Sequence, residues 1–290
     1  MKKQLIIFIA LCVIANCQIF NYDEEVAKDL AGFAIIAYCN NNGVFNNNCG
    51  PPCQRSPKGY LDYYFLKSQK MDIQGIIGYA PDHNAIILTF RGTMIQYFGN
   101  IIRDVQLDKV SFPICQVSNC QVHQGFFDSF NDLKDQLKYQ LKIYQNKYPQ
   151  AKIYITGHSL GAAIATIAVP YVYQWIGNKQ IDAVYTFESP RVGNKAFSDW
   201  FTQQNFAFLY GRITHDQDPV VQYPTSWWPL YYYHTYQEIY YSDFSKPYNL
   251  CYNPEDTKCG AQQNYFALDI NDHMNLFGWS LSQAGSLCQV

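Results

Sequence analysis

The feature that most constrains this chain is a serine between two glycines, set where a strand pattern gives way to a helix pattern. Lys152 to Thr156 reads as a short β-branched strand, and Gly157-His158-Ser159-Leu160-Gly161 follows it. Leu160 to Trp175 is then small and apolar, like a buried helix. A bare Gly-x-Ser-x-Gly is weak evidence, because a chain of 290 residues shows one by chance on the order of one time in ten. At the C-terminal end of a strand, however, it has the context of a nucleophile elbow. Gly157 and Gly161 remove side chains where strand and helix nearly collide, and Ala162, Ala163 and Ala165 let the helix pack close to a sheet. The serine then lies at a helix start, where free backbone N–H groups and the helix dipole favour developing negative charge. The N–H of Leu160 is the natural first donor to an oxyanion there. The plain alternative is a structural strand–turn–helix with an incidental serine.

The elements around the elbow alternate. Asp23 to Tyr38 has helical spacing through Val26, Leu30, Phe33, Ala34 and Ala37. Ile73 to Tyr79 and Ala85 to Phe90 read as strands. Asp128 to Tyr148 reads as an amphipathic helix with Phe130, Leu133, Leu137, Leu141 and Tyr144 on one face, stopped by Pro149. After the elbow helix, which Pro170 is expected to kink, come a strand at Ala183 to Phe187, a helix at Lys195 to Gln204 and a strand at Ala207 to Thr214. Tyr231 to Tyr241 alternates in a polar, aromatic way expected of an outer strand or hairpin. This order predicts an α/β fold with a mainly parallel central sheet and helices on both faces. No linker, repeat or charge block divides the chain, and the Asn-rich stretch from Asn40 to Asn48 reads as a loop.

Met1-Lys2-Lys3, an apolar run from Leu5 to Ala15 and the small residues near Cys17 form the pattern of a secretory signal peptide, residues 1–17. The run is about 11 residues, short of the roughly 20 that span a bilayer, and no later segment is long and apolar enough to be a transmembrane span. The expectation is a single domain, 18–290, that is secreted or placed in the lumen of the secretory or lysosomal pathway. Eight cysteines remain after residue 17, an even number that reads as a disulfide framework rather than a zinc site, whose paired spacing is missing. Formal charge is −2 with no basic cluster, which argues against nucleic acid as a partner. No Asn-x-Ser/Thr sequon occurs.

At this point a family likeness can be stated. Ile153 to Ala163 resembles the elbow of the class 3, or fungal-type, triacylglycerol lipases. Leu88 to Thr93 resembles their oxyanion strand, Val122 to Phe127 their Val-His-x-Gly-Phe segment, and Ser189 to Asn194 the stretch after the elbow helix. Arg212 to Val220 resembles the segment that carries their acid, and Asp272 to Gly278 the one that carries their histidine. These matches fall in order from about residue 25 to the C-terminus. The resemblance implies an α/β-hydrolase fold. Two departures stand out: Glu188 replaces a residue that is usually small, and Asn100 to Asp104 lacks a common Trp.

A serine needs a base to take its proton, and that base needs an orienting acid, in the chain order Ser, acid, His. Among later acids, Asp218 lies in a loop past the strand ending at Thr214, with Asp216 as runner-up; the resemblance favours Asp218. Only His234 and His273 follow. His234 lies in the strand-like run, where a structural role fits, whereas His273 precedes an apolar stretch; the resemblance also selects His273. It implies Thr93 as the second oxyanion donor after Leu160. His158, His123 and His215 are read as structural. The resemblance also implies a lid at Met94 to Val110, where Met94, Ile95, Tyr97, Phe98, Ile101, Ile102 and Val105 crowd together; an ordinary core helix is the alternative. Family pattern and closeness suggest the bridges Cys39–Cys288, Cys49–Cys53, Cys115–Cys120 and Cys251–Cys259. The function implied is hydrolysis of triacylglycerol at a lipid–water interface by a monomer, with no cofactor and no metal. A phospholipase A1, a feruloyl-type esterase, an inactive lipid-binding relative and a serine peptidase or thioesterase are the alternatives.

Overall fold

The computed structural model describes residues 21–39, 41–56, 58–93, 107–260 and 268–281. The expected signal peptide, 1–17, lies outside the described residues.

An eight-stranded sheet organises the chain in the order β1-β2-β3-β6-β7-β8-β9-β10. Its strands are β1 (Asp62–Lys67), β2 (Gln74–Ala80), β3 (Ala85–Phe90), β6 (Lys152–His158), β7 (Ile181–Phe187), β8 (Ala207–His215), β9 (Glu238–Tyr241) and β10 (Asn249–Cys251). From β3 to β9 every neighbour is parallel, while β1, β2 and β10 join antiparallel at the edges. Two short hairpins stand apart, β4 (Lys109–Ser111) with β5 (Gln121–His123), and β11 (Asn275–Leu276) with β12 (Trp279–Ser280).

Side-chain alternation splits the core into two layers. Along β3, Ile86, Leu88 and Phe90 face one layer and Ala85 and Ile87 the other; along β6, Ile153 and Ile155 oppose Tyr154 in the same way. The first layer is covered by α4 (Gln124–Lys147), α5 (Leu160–Trp175) and α6 (Lys195–Gln203), and the second by α1 (Glu24–Ile36). Helix α1 begins where Asp23 accepts the N–H groups of Glu25 and Val26, a side-chain N-cap. Two further short helices, α2 (Asn41–Phe45) and α3 (Pro51–Gln54), follow it.

The structure adjusts three expectations. Helix α4 starts at Gln124, four residues early, because the His123 side chain accepts the Phe126 N–H and caps it. Helix α5 runs on through Pro170 to Trp175. Tyr231 to Tyr241 is not one strand or hairpin: only Glu238–Tyr241 pairs with β8, and Tyr231 and Tyr236 adopt left-handed backbone (φ 50° and 60°) that interrupts an extended run. Disulfides join Cys49–Cys53, Cys115–Cys120 and Cys251–Cys259, as expected. Cys39 is also disulfide-bonded; its expected partner Cys288 lies outside the described residues.

Candidate active site

The parallel strands deliver their C-terminal ends to one edge, where α/β sites assemble. β3 leads to Gly92 and Thr93, β6 to Ser159, β7 to Glu188 and β8 to Asp218. Ser159 stands between β6 and α5 with φ 59° and ψ −128°, a strained conformation for a non-glycine residue, and is buried. The turn is possible only because its flanks lack side chains. A Cβ on Gly157 would collide with the Gly161 carbonyl, and one on Gly161 with the Phe90 carbonyl of β3. Gly92 is held equally close: a Cβ there would lie 3.0 Å from the Ser159 Cβ and 2.7 Å from the His158 carbonyl. Thr93, the next residue, therefore lies beside the serine, and Leu160 opens α5 just after it.

Asp218 and His273 are both fully buried and meet at 2.8 Å, His273 Nδ1 to Asp218 Oδ2. Asp218 Oδ1 accepts the Val220 N–H at 2.7 Å, which fixes the carboxylate plane. With Nδ1–H donated to the carboxylate, Nε2 is the basic nitrogen of His273. The histidine ends a short helix, α7 (Ile270–His273), that is laced to the Asp218 loop: the Gln217 N–H donates to Asp272 Oδ2 at 3.0 Å, and the Asp269 N–H to the Gln217 carbonyl at 2.9 Å. The runner-up acid, Asp216, is half-buried, and its Oδ1 accepts from the Tyr240 hydroxyl and the Gln217 side-chain amide, both at 3.4 Å.

His158 ties the serine to the histidine. Its Nε2 lies 2.8 Å from the His273 carbonyl, and a carbonyl can only accept, so Nε2 carries the hydrogen. Nδ1 then accepts from the Tyr38 hydroxyl, also at 2.8 Å. Burial and the nearby His273 push the His158 pKa well below the usual range, so the ring stays neutral. Tyr38, on the chain just after α1, was not foreseen from sequence; nothing in its local pattern distinguishes it from a core residue.

The other histidine after Asp218 was read as structural. His234 Nε2 meets the Val221 carbonyl at 2.8 Å, and burial together with Arg212 and Arg191 pushes its pKa well below the usual range. Arg191 was also missed as a contributor. Its buried guanidinium forms a bidentate pair with Glu255 (2.9 and 2.8 Å) and donates to the Gln222 and Pro224 carbonyls, which anchors the chain just past Asp218. Among the described residues, no group of three or more His, Cys, Asp and Glu side chains is arranged to hold a metal ion.

The family model for lipase (class 3) matches residues 87–227, the span from within β3 past Asp218. Over that span the chain is similar to the class 3 lipases. It is 31% identical over 211 residues to secreted mono- and diacylglycerol lipase 1 of Fusarium solani, over 68% of this chain and 60% of that protein. It is 32% identical over 165 residues to secreted mono- and diacylglycerol lipase A of Penicillium cyclopium, over 57% of this chain and 51% of that one. The chain thus spans little more than half the length of these curated relatives. Among solved structures, the lipase of Rhizopus microsporus var. chinensis superimposes with a TM-score of 0.77 at 26% identity, over 90% of this chain and 88% of that one. The Rhizomucor miehei triacylglyceride lipase superimposes at 0.76 and 23% identity, a likeness of fold.

Proposed function

We propose that this chain is a secreted serine carboxylester hydrolase that cleaves acylglycerols at a lipid–water interface. The observation that carries the reading is the buried Asp218–His273 hydrogen bond, linked through His158 to a serine in left-handed backbone. In this reading Ser159 Oγ attacks the ester carbonyl as His273 Nε2 takes its proton. Asp218 holds the imidazole in the tautomer with Nε2 basic and stabilises the imidazolium that forms. The oxyanion accepts hydrogen bonds from the backbone N–H groups of Leu160 and Thr93, and each such donor contributes roughly 3 kcal/mol to lowering the barrier. His273 returns the proton to the leaving alcohol. Water then attacks the acyl-Ser159 ester, again giving its proton to His273, and the acid leaves with the serine restored.

Two features support a lipid substrate. The apolar sequence from Met94 to Val110, read as a lid, follows Thr93 directly; residues 94–106 lie outside the described residues, so the lid rests on sequence and family. The second is a surface loop. Trp227, Trp228 and Tyr231 are exposed, at 56%, 73% and 49%, and no Asp, Glu, Lys or Arg occurs from Pro219 to Gln237. Lys109 Nζ donates to the Leu230 carbonyl at 2.7 Å and the Tyr232 hydroxyl to the Leu107 carbonyl at 2.9 Å, so this loop is tied to the end of the lid sequence. Tryptophan rings favour the boundary between water and lipid. The sequence of residues 1–17 supports export, and among the described residues no helix is long and apolar enough to cross a membrane.

Release of acid from emulsified triglyceride, phosphatidylcholine and methyl ferulate, with Ser159→Ala as control, tests the reading. Triglyceride is expected to be cleaved fastest, with the rate rising sharply once a short-chain triglyceride passes its solubility limit. Preference for phosphatidylcholine or ferulate would move the substrate class while leaving the chemistry in place. Full activity in Ser159→Ala would overturn it.

A further inference from the structure

Glu188 follows β7, and it is not at the surface. It is fully buried, as is Asp218, and both are fastened to His215, whose carbonyl accepts the Asp218 N–H at 3.2 Å. Its backbone is left-handed, φ 50°, held by its N–H donating to the Ile213 carbonyl at 2.9 Å. One carboxyl oxygen, Oε2, accepts the His215 N–H at 3.1 Å. Among the described residues the other, Oε1, meets no N–H or O–H donor. Two carboxylates cannot share a water-excluded site with both ionised, since each loses hydration and repels the other. One of the pair must hold a proton. Asp218 accepts from His273 and from the Val220 N–H, two donors that favour its charged form, whereas Glu188 accepts from one. The proton therefore belongs on Glu188, and Oε1, the oxygen that accepts no donor, is the one left to carry it.

We infer that Glu188 is a positioning residue, which as a neutral acid donates a hydrogen bond to the Asp218 carboxylate and switches the site off when it loses that proton. The inference rests on the triad reading above. The groups acting on Glu188 most strongly agree with it. Burial comes first, then the Asp218 carboxylate, and both push its pKa well above the usual carboxylate range; the His215 amide opposes them and Asp272 adds to them. None is a cation. Loss of the proton would set a second negative charge against Asp218 with no compensating donor, forcing the carboxylates apart and disturbing the His273 contact. The chain thus carries an alkaline limit to its activity that a relative with a small residue at this position lacks.

Linkage gives the inference a second signature. A carboxyl whose folded pKa is raised binds a proton in the folded chain that the unfolded chain has released, so stability falls as pH rises from about 4.3 towards the folded value. Removing the titration should remove that fall.

The test compares wild type, Glu188→Gln and Glu188→Gly by kcat/KM against pH on p-nitrophenyl butyrate, and by Tm against pH. Gln can donate from its amide nitrogen to Asp218 and accept the His215 N–H, so it reproduces the neutral acid without a titration. Gly suits the left-handed backbone and removes the donor. Glu188→Gln should keep kcat/KM near neutral pH within about threefold, less than a hydrogen bond to a charged group is worth, and should lose the alkaline decline of the wild type. Its Tm advantage over wild type should grow between pH 5 and pH 8, given the reference carboxyl pKa of about 4.3. Glu188→Gly should also lose the alkaline decline, with kcat/KM about tenfold lower from the missing charge-assisted bond. If both variants keep the wild-type decline and the wild-type Tm profile, Glu188 is not the titrating group and the inference is wrong. Failure of the triad reading looks different: wild type would not hydrolyse the ester, or Ser159→Ala would.

Discussion

Replacing Asp218 by Asn is a one-atom change whose outcome the hydrogen bonds dictate. The carboxylate has two committed oxygens, Oδ1 receiving the Val220 N–H at 2.7 Å and Oδ2 the His273 Nδ1–H at 2.8 Å, in a fully buried site. Asn keeps one oxygen. That oxygen must stay opposite the Val220 N–H, because turning the amide would set N–H against N–H with no water to intervene. The amide nitrogen is then directed at His273 Nδ1, which can accept only by moving its proton to Nε2. In that tautomer Nε2 no longer takes the serine proton. A triad aspartate replaced in this way loses about 10⁴ in kcat, equivalent to about 5 kcal/mol of barrier. The assay is hydrolysis of p-nitrophenyl butyrate by the purified variant, with circular dichroism to confirm the fold. The account expects kcat to fall about ten-thousandfold with KM little changed and Tm within a few degrees of wild type. A loss under about tenfold in a folded variant would show that the Asp218–His273 bond does not orient the base, and would return Asp216 to consideration.

Further predictions concern what holds and presents the site. Leu137→Ala, at a fully buried position under the sheet, should cost about 2–5 kcal/mol in urea unfolding, and a cost under 1 kcal/mol would contradict the packing of α4. Glu255→Ala leaves the buried Arg191 guanidinium facing carbonyls alone; thermal unfolding should register a loss of about 3 kcal/mol, whereas an unchanged Tm would mean the pair does not anchor the chain past Asp218. Trp227→Ser with Trp228→Ser should weaken binding to phosphatidylcholine vesicles by about tenfold or more, measured by sedimentation in a Ser159→Ala background, since each ring carries roughly 1.5–3 kcal/mol of burial. Unchanged sedimentation would remove this loop from the lipid-facing surface.

The parts of the fold with strong periodicity were legible in the sequence. The strands at 73–79 and 85–90, the face of α4 from Phe130 to Tyr144 and the elbow from Lys152 onward all appear within a few residues of their expected places. Asp218 and His273 were singled out because each sits in a short segment of family pattern beside a strand or helix end, and the structure sets the two side chains 2.8 Å apart. What was not legible depends on contacts between distant parts of the chain. Tyr38 and His158 are 120 residues apart and meet only after α1 packs under β6. β1 and β10 are short edge strands whose pairing is decided by their neighbours. The Tyr231–Tyr241 run looked like a strand because its composition is β-favouring, but two left-handed residues break it, and such backbone leaves no mark at a tyrosine. Glu188 was visible as an unusual residue; that its side chain is buried and takes the His215 N–H follows from the parallel register of β7 and β8.

The central claim is that Ser159 is the nucleophile of an acyl-enzyme. It is tested most directly by reacting the purified protein with a fluorophosphonate that bears an alkyl chain, then mapping the adduct by mass spectrometry of its peptides. The account predicts one adduct per chain on Ser159, lost in Ser159→Ala and formed far more slowly in Asp218→Asn. An adduct on another residue, or labelling that survives in Ser159→Ala, would contradict it.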